Sequence, residues 1–374
     1  MSQPLFHRFP RFLLPGIGLT LLFVAMGEAA FAQGPPAWIK VAPDRKSFVE
    51  SESGKPFYPW GFNYDHDAAG RLIEDYWDKE WEKIKDDFAA MKKMGANTVR
   101  IHLQMGAFME NAAQARAESL QRLKKLVRLA ADTGLYLNLT GLGCFHKKDV
   151  PKWYETLGEK ERWDAQAVFW KAVAQTVKDE PAVFCFDLMN EPVVSGDKRG
   201  PGEWLGQPFA GKHFVQFITL DPRERSRPSI AKAWIDFLVS EVHTVDSKHL
   251  ITVGLVDWSL ERPGLTSGFV PESTCAALDF LSVHLYPEKG RHARDLSILK
   301  GFSVGKPLVL EETYPLHCSV SELAAFLKSA RPRLAGAFSF YWGRPLSELK
   351  RSPLISDAML AQWMEAFITV NNPQ

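Results

Sequence analysis

The stretch WDAQAVFWKAVAQTVKDEPAVFCFDLMNEP, residues 163–192, decides the fold class. Its first part, Trp163–Lys178, repeats apolar residues at helical spacing, and a short apolar run, Val183–Asn190, follows it. A helix leading into a buried strand is the unit of a parallel sheet, because parallel neighbours need a crossover to bring the chain back. The same alternation extends outward in both directions. Strands are expected at Phe57–Asn63, Thr98–His102, Leu135–Thr140, Val183–Asn190, Leu250–Gly254, Asp279–Leu285, Leu308–Glu312 and Gly336–Trp342. Helices are expected at Trp77–Met94, Leu120–Thr133, Trp163–Lys178, Ser229–Asp246, Val320–Ala330 and Asp357–Val370. Only the connections around the fifth and sixth strands lack a long helical stretch. Eight strands alternating with helices fit the α/β class and, within it, the (β/α)8 TIM barrel. A doubly wound sheet has the same rhythm, but no Gly-rich dinucleotide turn follows the first strand. Ahead of the barrel, Trp38–Lys55 reads as a short N-terminal β-hairpin ending at Ser53-Gly54-Lys55.

The composition narrows the partners. With 374 residues, 46% hydrophobic and 24% charged, the chain is globular and neither disordered, collagenous nor a disulfide scaffold. Lys plus Arg number 45 against 44 Asp plus Glu, so the net charge of +1 supplies no field for nucleic acid or acidic membrane. Residues 1–32 read as a signal peptide. His7, Arg8 and Arg11 precede the apolar run Leu13–Met26, and Ala30-Phe31-Ala32 offers a small-x-small cleavage pattern before Gln33. The apolar run falls short of the ~20 residues of a spanning helix and is interrupted by Pro15, Gly16 and Gly18. The expectation is one domain, 33–374, exported to a secreted or periplasmic location without a membrane anchor after cleavage. Cys144, Cys185, Cys275 and Cys318 form no CxxC. Two readings stand for them: a disulfide such as Cys275 with Cys318, or buried free thiols, with Cys185 a small core residue inside its apolar strand.

Barrels of this kind carry their chemistry on the loops after the strand C-termini. Glu191 follows the fourth strand and Glu312 ends the seventh. Carboxylates at two strand ends can cleave a glycosidic bond, one as proton donor and the other as nucleophile, although exposed Glu at strand ends also simply solvates loops. The longest connection, Pro192–Pro228, is Gly- and Pro-rich and reads as a binding loop; Trp204 within it is either a sugar platform or a residue that tacks the loop down. Trp60, Trp77 and Trp258 are equally packing residues or subsite walls. His66, between two aspartates, reads as a polar loop residue or substrate contact. No HxH follows the first strand and no HExxH occurs, so a zinc hydrolase has no support, and neither metal nor cofactor is expected.

Several motifs together resemble clan A of the glycoside hydrolases, in particular family 5, which contains endoglucanases and β-mannanases. The resemblance runs from about Trp38 to Trp342. It rests on Gly61-Phe62-Asn63-Tyr64, Asn97-Thr98-Val99-Arg100-Ile101, Asn190-Glu191-Pro192, His284-Leu285-Tyr286, Glu312 and Trp342, in that order at strand ends. It implies an exported retaining glycoside hydrolase acting on β-linked oligo- or polysaccharides. Glu191 would be the general acid/base, with a raised pKa, and Glu312 the nucleophile. Arg100 and Tyr286 would hold Glu312 ionised, Asn190 would meet the sugar 2-hydroxyl, and Trp342 would floor the central subsite, with a cis peptide bond after it. Asn63, His102 and His284 complete the expected substrate-binding set. Arg100 has a second reading, as a structural cation paired with Asp187. One departure is the run Leu139-Thr140-Gly141-Leu142-Gly143, which lacks the His many members carry just beyond the third strand; His102, on the same strand face as Arg100, is placed to fill that space.

Alternatives to hydrolysis are a non-catalytic carbohydrate-binding barrel, a transglycosylase sharing the whole site and, more distantly, a metal-dependent amide or phosphoester hydrolase that chelation would expose. Between the adjacent acids, alternation along a strand places Leu308, Leu310 and Glu312 on one face, expected inward, and Val309 and Glu311 on the other, toward the helices. The same parity groups Thr98, Arg100 and His102; Ser282, His284 and Tyr286; and Phe338, Phe340 and Trp342. A bulge at the end of the seventh strand would reverse the reading for Glu311 and Glu312.

Overall fold

Eight parallel strands close into a barrel in the computed structural model, which describes residues 36–260 and 265–371. In chain order they are β1 (Trp60–Tyr64), β2 (Thr98–Gln104), β3 (Tyr136–Gly143), β4 (Val183–Asn190), β5 (Leu250–Val256), β6 (Leu281–His284), β7 (Leu308–Thr313) and β8 (Gly336–Ser339). Each pairs with its sequence neighbour, and β8 closes on β1. The outer layer comprises α1 (Trp81–Lys93), α2 (Ala117–Thr133), α3 (Glu159–Val177), α4 (Arg227–His243), α5 (His292–Gly301), α6 (Val320–Ala330) and α7 (Ile355–Asn371). Among the described residues no helix is long and apolar enough to cross a membrane. The segment read as a signal peptide lies outside the described residues.

Local chemistry accounts for the helix ends. Ser226 caps α4 by accepting from the Ser229 N–H, with Pro228 in the first turn, and Ser319 and Glu322 form a reciprocal capping box on α6. Gly134 ends α2 in the left-handed conformation.

The opening of the chain is more than a hairpin. Ile39–Val41 and Phe48–Glu50 pair antiparallel, and Pro56–Phe57 adds a third strand against Phe48 and Val49. Phe57 therefore belongs to this small sheet, and β1 begins only at Trp60. The sheet plugs the N-terminal end of the barrel. Phe48 is fully buried and meets Phe184 and Phe280 edge-on, each at 5.2 Å, in a floor completed by Cys185, Val309 and Phe338. Above this apolar floor the interior is polar, with Asn63, Arg100, Asn138, Thr140, Asp187, Thr252, Ser282 and Glu311 all essentially without solvent contact. Apolar alternation on the outer face (Val99, Ile101 and Leu103; Leu281 and Val283; Leu308 and Leu310) packs under the helices.

Two irregularities at strand ends set up the mouth. Along β4 and β5, Asp187 pairs with Thr252 but Asn190 with Gly254, so β4 carries one extra residue there. Along β7, Leu310 pairs with Val283 but Glu312 with His284, and the same extra residue shows against β8, where Leu310 pairs with Ala337 and Thr313 with Ser339. Such bulges turn a residue that strict alternation would send outward.

β8 stops at Ser339, three residues short of the expected Trp342. The non-proline cis bond joins Phe340 and Tyr341, not Trp342 and Gly343. Cys144, Cys185, Cys275 and Cys318 are all free thiols, so the Cys275–Cys318 pairing does not occur. The Pro192–Pro228 connection is partly ordered: Pro192–Val194 and Gln216–Thr219 pair in parallel. Trp204 tacks it down, its indole N–H donating to the Glu155 carbonyl and its face under the Arg162 guanidinium.

Candidate active site

Arg100 organises the centre of the barrel mouth. Its side chain has no solvent contact, and one terminal nitrogen donates to Glu312 Oε1 at 2.5 Å and Asn63 Oδ1 at 2.9 Å. The other donates to Asp187 Oδ2 at 2.7 Å and Asn190 Oδ1 at 3.0 Å. Arg100 is thus at once the partner of Asp187 and a donor to Glu312. Asp187 is further fixed by the Thr140 hydroxyl at 2.8 Å and the Gly254 N–H at 2.7 Å. A buried guanidinium needs acceptors of this kind to offset its lost hydration, and here both terminal nitrogens have them while Nε has none.

Glu312 lies at the top of this network. Its second oxygen accepts from the Tyr286 hydroxyl at 2.6 Å. Burial pushes its carboxyl above the usual carboxylate range, while His284 and Arg100 pull against that rise. Glu191 faces it. The Glu191 backbone sits in the left-handed region at φ 49°, a costly conformation for a non-glycine residue, and is pinned by its N–H on the Gly254 carbonyl at 2.9 Å. The side chain meets His284 Nδ1 at 3.0 Å. Among the described residues, one ligand atom each of Glu191, His284 and Glu312 falls within 4.8 Å of the others, a spacing that would also admit a cation. Glu312 already has a donor on each oxygen, Arg100 on one and Tyr286 on the other. Burial opposes charge on His284, but Glu312, Glu191 and Glu311 overcome it and raise the imidazole to about 10.

The remaining expected residues divide. Asn190 stands beside Glu191 with its amide engaged at both ends, the oxygen on Arg100 and the nitrogen on the Phe214 carbonyl at 3.1 Å. Asn63 lies beneath the site as a strut, donating to the Glu311 and Ser339 carbonyls. It has no exposed surface for a sugar. His102 is 3% exposed against Phe145, and neither ring nitrogen has a hydrogen-bond partner. Burial and Arg100 lower it to about 3, so it is neutral.

Trp342 does not form a floor. It is fully buried outside the barrel, packed on Phe62 with its indole N–H donating to Asp87 Oδ1 at 2.9 Å. The chain's turn after Ser339 breaks the parity that placed it inward. The half-buried Phe340 takes the inward position instead, beside Tyr286 and Phe214, and Phe145 continues this aromatic wall. Tyr341 stacks on His66 at 4.1 Å on the rim. Trp60 and Trp77 are packing residues, against Phe367 and Phe108.

Glu311 does not face the helices as strict alternation expects. Leu308 and Leu310 face the helices, and the extra residue in β7 turns both Glu311 and Glu312 inward. Glu311 is fully buried, accepting from Asn138 Nδ2 at 2.6 Å, 3.4 Å from His284 Nε2 and 3.6 Å from Arg100. Burial raises its carboxyl, yet Arg100 and His284 more than offset this and hold it low. Adjacency in sequence was the only signal for it; for Phe340 the signal was its parity with Phe338.

The family model described as cellulase (glycosyl hydrolase family 5) matches residues 51–304. A mannan endo-1,4-β-mannosidase of Oryza sativa is 27% identical over 30% of this chain and 20% of its own length. The mannan endo-1,4-β-mannosidase A of Podospora anserina is 25% identical over 61% of each chain. The chain thus spans between a fifth and about three fifths of the curated relatives it matches. Among solved structures, an exo-β-1,4-mannosidase from an Opitutaceae bacterium shares the fold, with a TM-score of 0.63 at 17% identity, covering 88% of this chain and 61% of that one.

Proposed function

Since the chain belongs to glycosyl hydrolase family 5, we propose that it is a retaining β-glycoside hydrolase acting on β-linked, mannan-type polysaccharides or oligosaccharides. The observation that carries the proposal is the dyad itself: Glu312 gripped by Arg100 and Tyr286, with Glu191 and His284 ligand atoms within 4.8 Å. Retaining enzymes hold their carboxyl groups ~5–5.5 Å apart, too close for a water between them.

In the first step Glu191 gives its proton to the glycosidic oxygen while Glu312 attacks the anomeric carbon, forming an ester and releasing the leaving sugar as an alcohol. In the second, Glu191 takes a proton from water, whose oxygen displaces Glu312 and restores both carboxyls. Arg100 and Tyr286 receive the returning charge on Glu312. Asn190 reaches the sugar 2-hydroxyl by exchanging its contact with the Phe214 carbonyl. The half-buried Phe340 and Phe214 supply apolar faces for the ring, with the buried Phe145 packed behind Phe214. The mannan preference is supported by the names of the relatives, and export by the basic and apolar pattern of residues 1–32. A binding-only barrel would need no second carboxylate facing one gripped by Arg100 and Tyr286. A transglycosylase would share every residue and differ in the acceptor.

Proton NMR of the first product from a β-mannooligosaccharide tests the reading. The β anomer is expected to appear first; initial release of the α anomer would overturn it.

A further inference from the structure

Glu311 has no part in that scheme, yet it is fully buried between the two cations of the site. Its Oε1 is committed to Asn138, and its Oε2 lies 3.4 Å from His284 Nε2 and 3.6 Å from Arg100. On the other side of the same ring, His284 Nδ1 stands 3.0 Å from Glu191 and 3.5 Å from Glu312. A neutral imidazole has one N–H and serves acceptors on one side only; the imidazolium has two and serves both. Carboxylates on both sides of the ring therefore call for the doubly protonated form. The close approach is built in at Gly254, where a Cβ would lie 2.9 Å from His284 Nε2 and 3.0 Å from the Arg100 guanidinium.

The surrounding groups do not all pull the same way. Glu191, Glu311 and Glu312 favour charge on His284, whereas burial and the positive field of Arg100 oppose it. His102 lies close enough to interact with it electrostatically. Tyr286, two residues along, directs its hydroxyl to Glu312, and Asp187 lies beyond Arg100. Glu311 is the carboxylate on the Nε2 side of this balance and is out of reach of substrate.

We propose that Glu311 is a positioning residue: it holds the proton on His284 Nε2 and so keeps the ring doubly protonated, with Nδ1–H spanning the acid/base Glu191 and the nucleophile Glu312. The inference rests on the glycosidase reading for its kinetic consequence but not for the state of the ring. When Glu312 becomes an ester its charge disappears, and Nδ1–H turns wholly to Glu191, favouring the carboxylate form that must act as base in the second step.

The test follows the ring nitrogens of His284 by NMR in histidine-labelled protein, with the signal identified by its loss in His284→Gln, and compares wild type with Glu311→Gln. Wild type should show both nitrogens protonated at pH 8, and Glu311→Gln should move the titration at least about one pH unit lower. With dinitrophenyl β-mannoside, whose first step is fast, Glu311→Gln should lower kcat at least about tenfold and lower KM with it, as the glycosyl-enzyme accumulates. A wild-type ring singly protonated at pH 7, or identical midpoints in the two proteins, would overturn the proposal. The wild-type spectrum decides even if Glu311→Gln does not fold. Absence of hydrolysis by wild type would count against the glycosidase reading alone, since the ring titration needs no turnover.

Discussion

Replacing Tyr286 by Phe removes one hydroxyl, the donor 2.6 Å from Glu312 Oε2, and leaves Arg100 on the other oxygen. A hydrogen bond to a buried charged group contributes about 1.5–3 kcal/mol. If that stabilisation is regained as Glu312 leaves the glycosyl-enzyme, its loss should slow the second step by about 10- to 150-fold, read in kcat on a substrate whose first step is fast. The same free energy must appear in the titration of Glu312. The hydroxyl favours the ionised carboxyl, so its removal raises the pKa by about one to two units. Because the nucleophile must be ionised, the acidic limb of kcat/KM should move to higher pH by that amount. Initial rates on dinitrophenyl β-mannoside from pH 4 to 9 measure both quantities. A loss below about threefold together with an unmoved acidic limb would refute the assignment of Tyr286 as the donor that holds the nucleophile.

Trp342→Phe should lower unfolding stability by about 2–3 kcal/mol, because it strips a buried acceptor, Asp87, of the indole N–H. KM should stay within about twofold, whereas Phe340→Ala should raise KM; a large KM effect from Trp342→Phe alone would return Trp342 to the subsite. His102 is held neutral, lowered to about 3 from ~6.5 in the unfolded chain. The stability it permits is present above pH ~6.5 and is lost as pH falls toward 3, about 2 kcal/mol of it by pH 5. His284, raised to about 10, acts in the opposite direction, losing its contribution as pH rises from ~6.5 through 10, and its share of the pH 7 to pH 5 difference is common to wild type and His102→Gln. His102→Gln should therefore shrink the drop in urea-unfolding free energy between pH 7 and pH 5, and an unchanged drop would show that His102 does not titrate there.

The alternation of strands and helices was legible because each barrel strand shows one apolar face to the helices, and Arg100 and His284 follow that alternation cleanly. What sequence could not show was where alternation breaks. The extra residues near Asn190 and Glu311 leave no mark in residue type, yet they decide that Asp187 and Asn190 both point inward and that Glu311 joins Glu312 inside the barrel. Strict alternation puts Glu312 on the face of Leu308 and Leu310, but those two lie under the helices, and it is the extra residue in β7 that brings Glu312 inward. Trp342 misled because β8 ends at Ser339 and the chain turns, so a residue three positions further on no longer obeys the strand's parity. The third strand of the N-terminal sheet was hidden in the apolar run beginning at Phe57, whose pairing with Phe48 is a contact between segments that no local pattern encodes.

The claim on which the rest depends is that Glu312, and not its neighbour, forms the bond to sugar. Azide rescue tests it most directly. Glu312→Gly and Glu311→Gly are made separately and assayed on dinitrophenyl β-mannoside with and without azide, which can occupy the space of a missing nucleophile. Glu312→Gly should lose turnover and regain it with azide, with α-mannosyl azide as product. Rescue in Glu311→Gly but not in Glu312→Gly would contradict it.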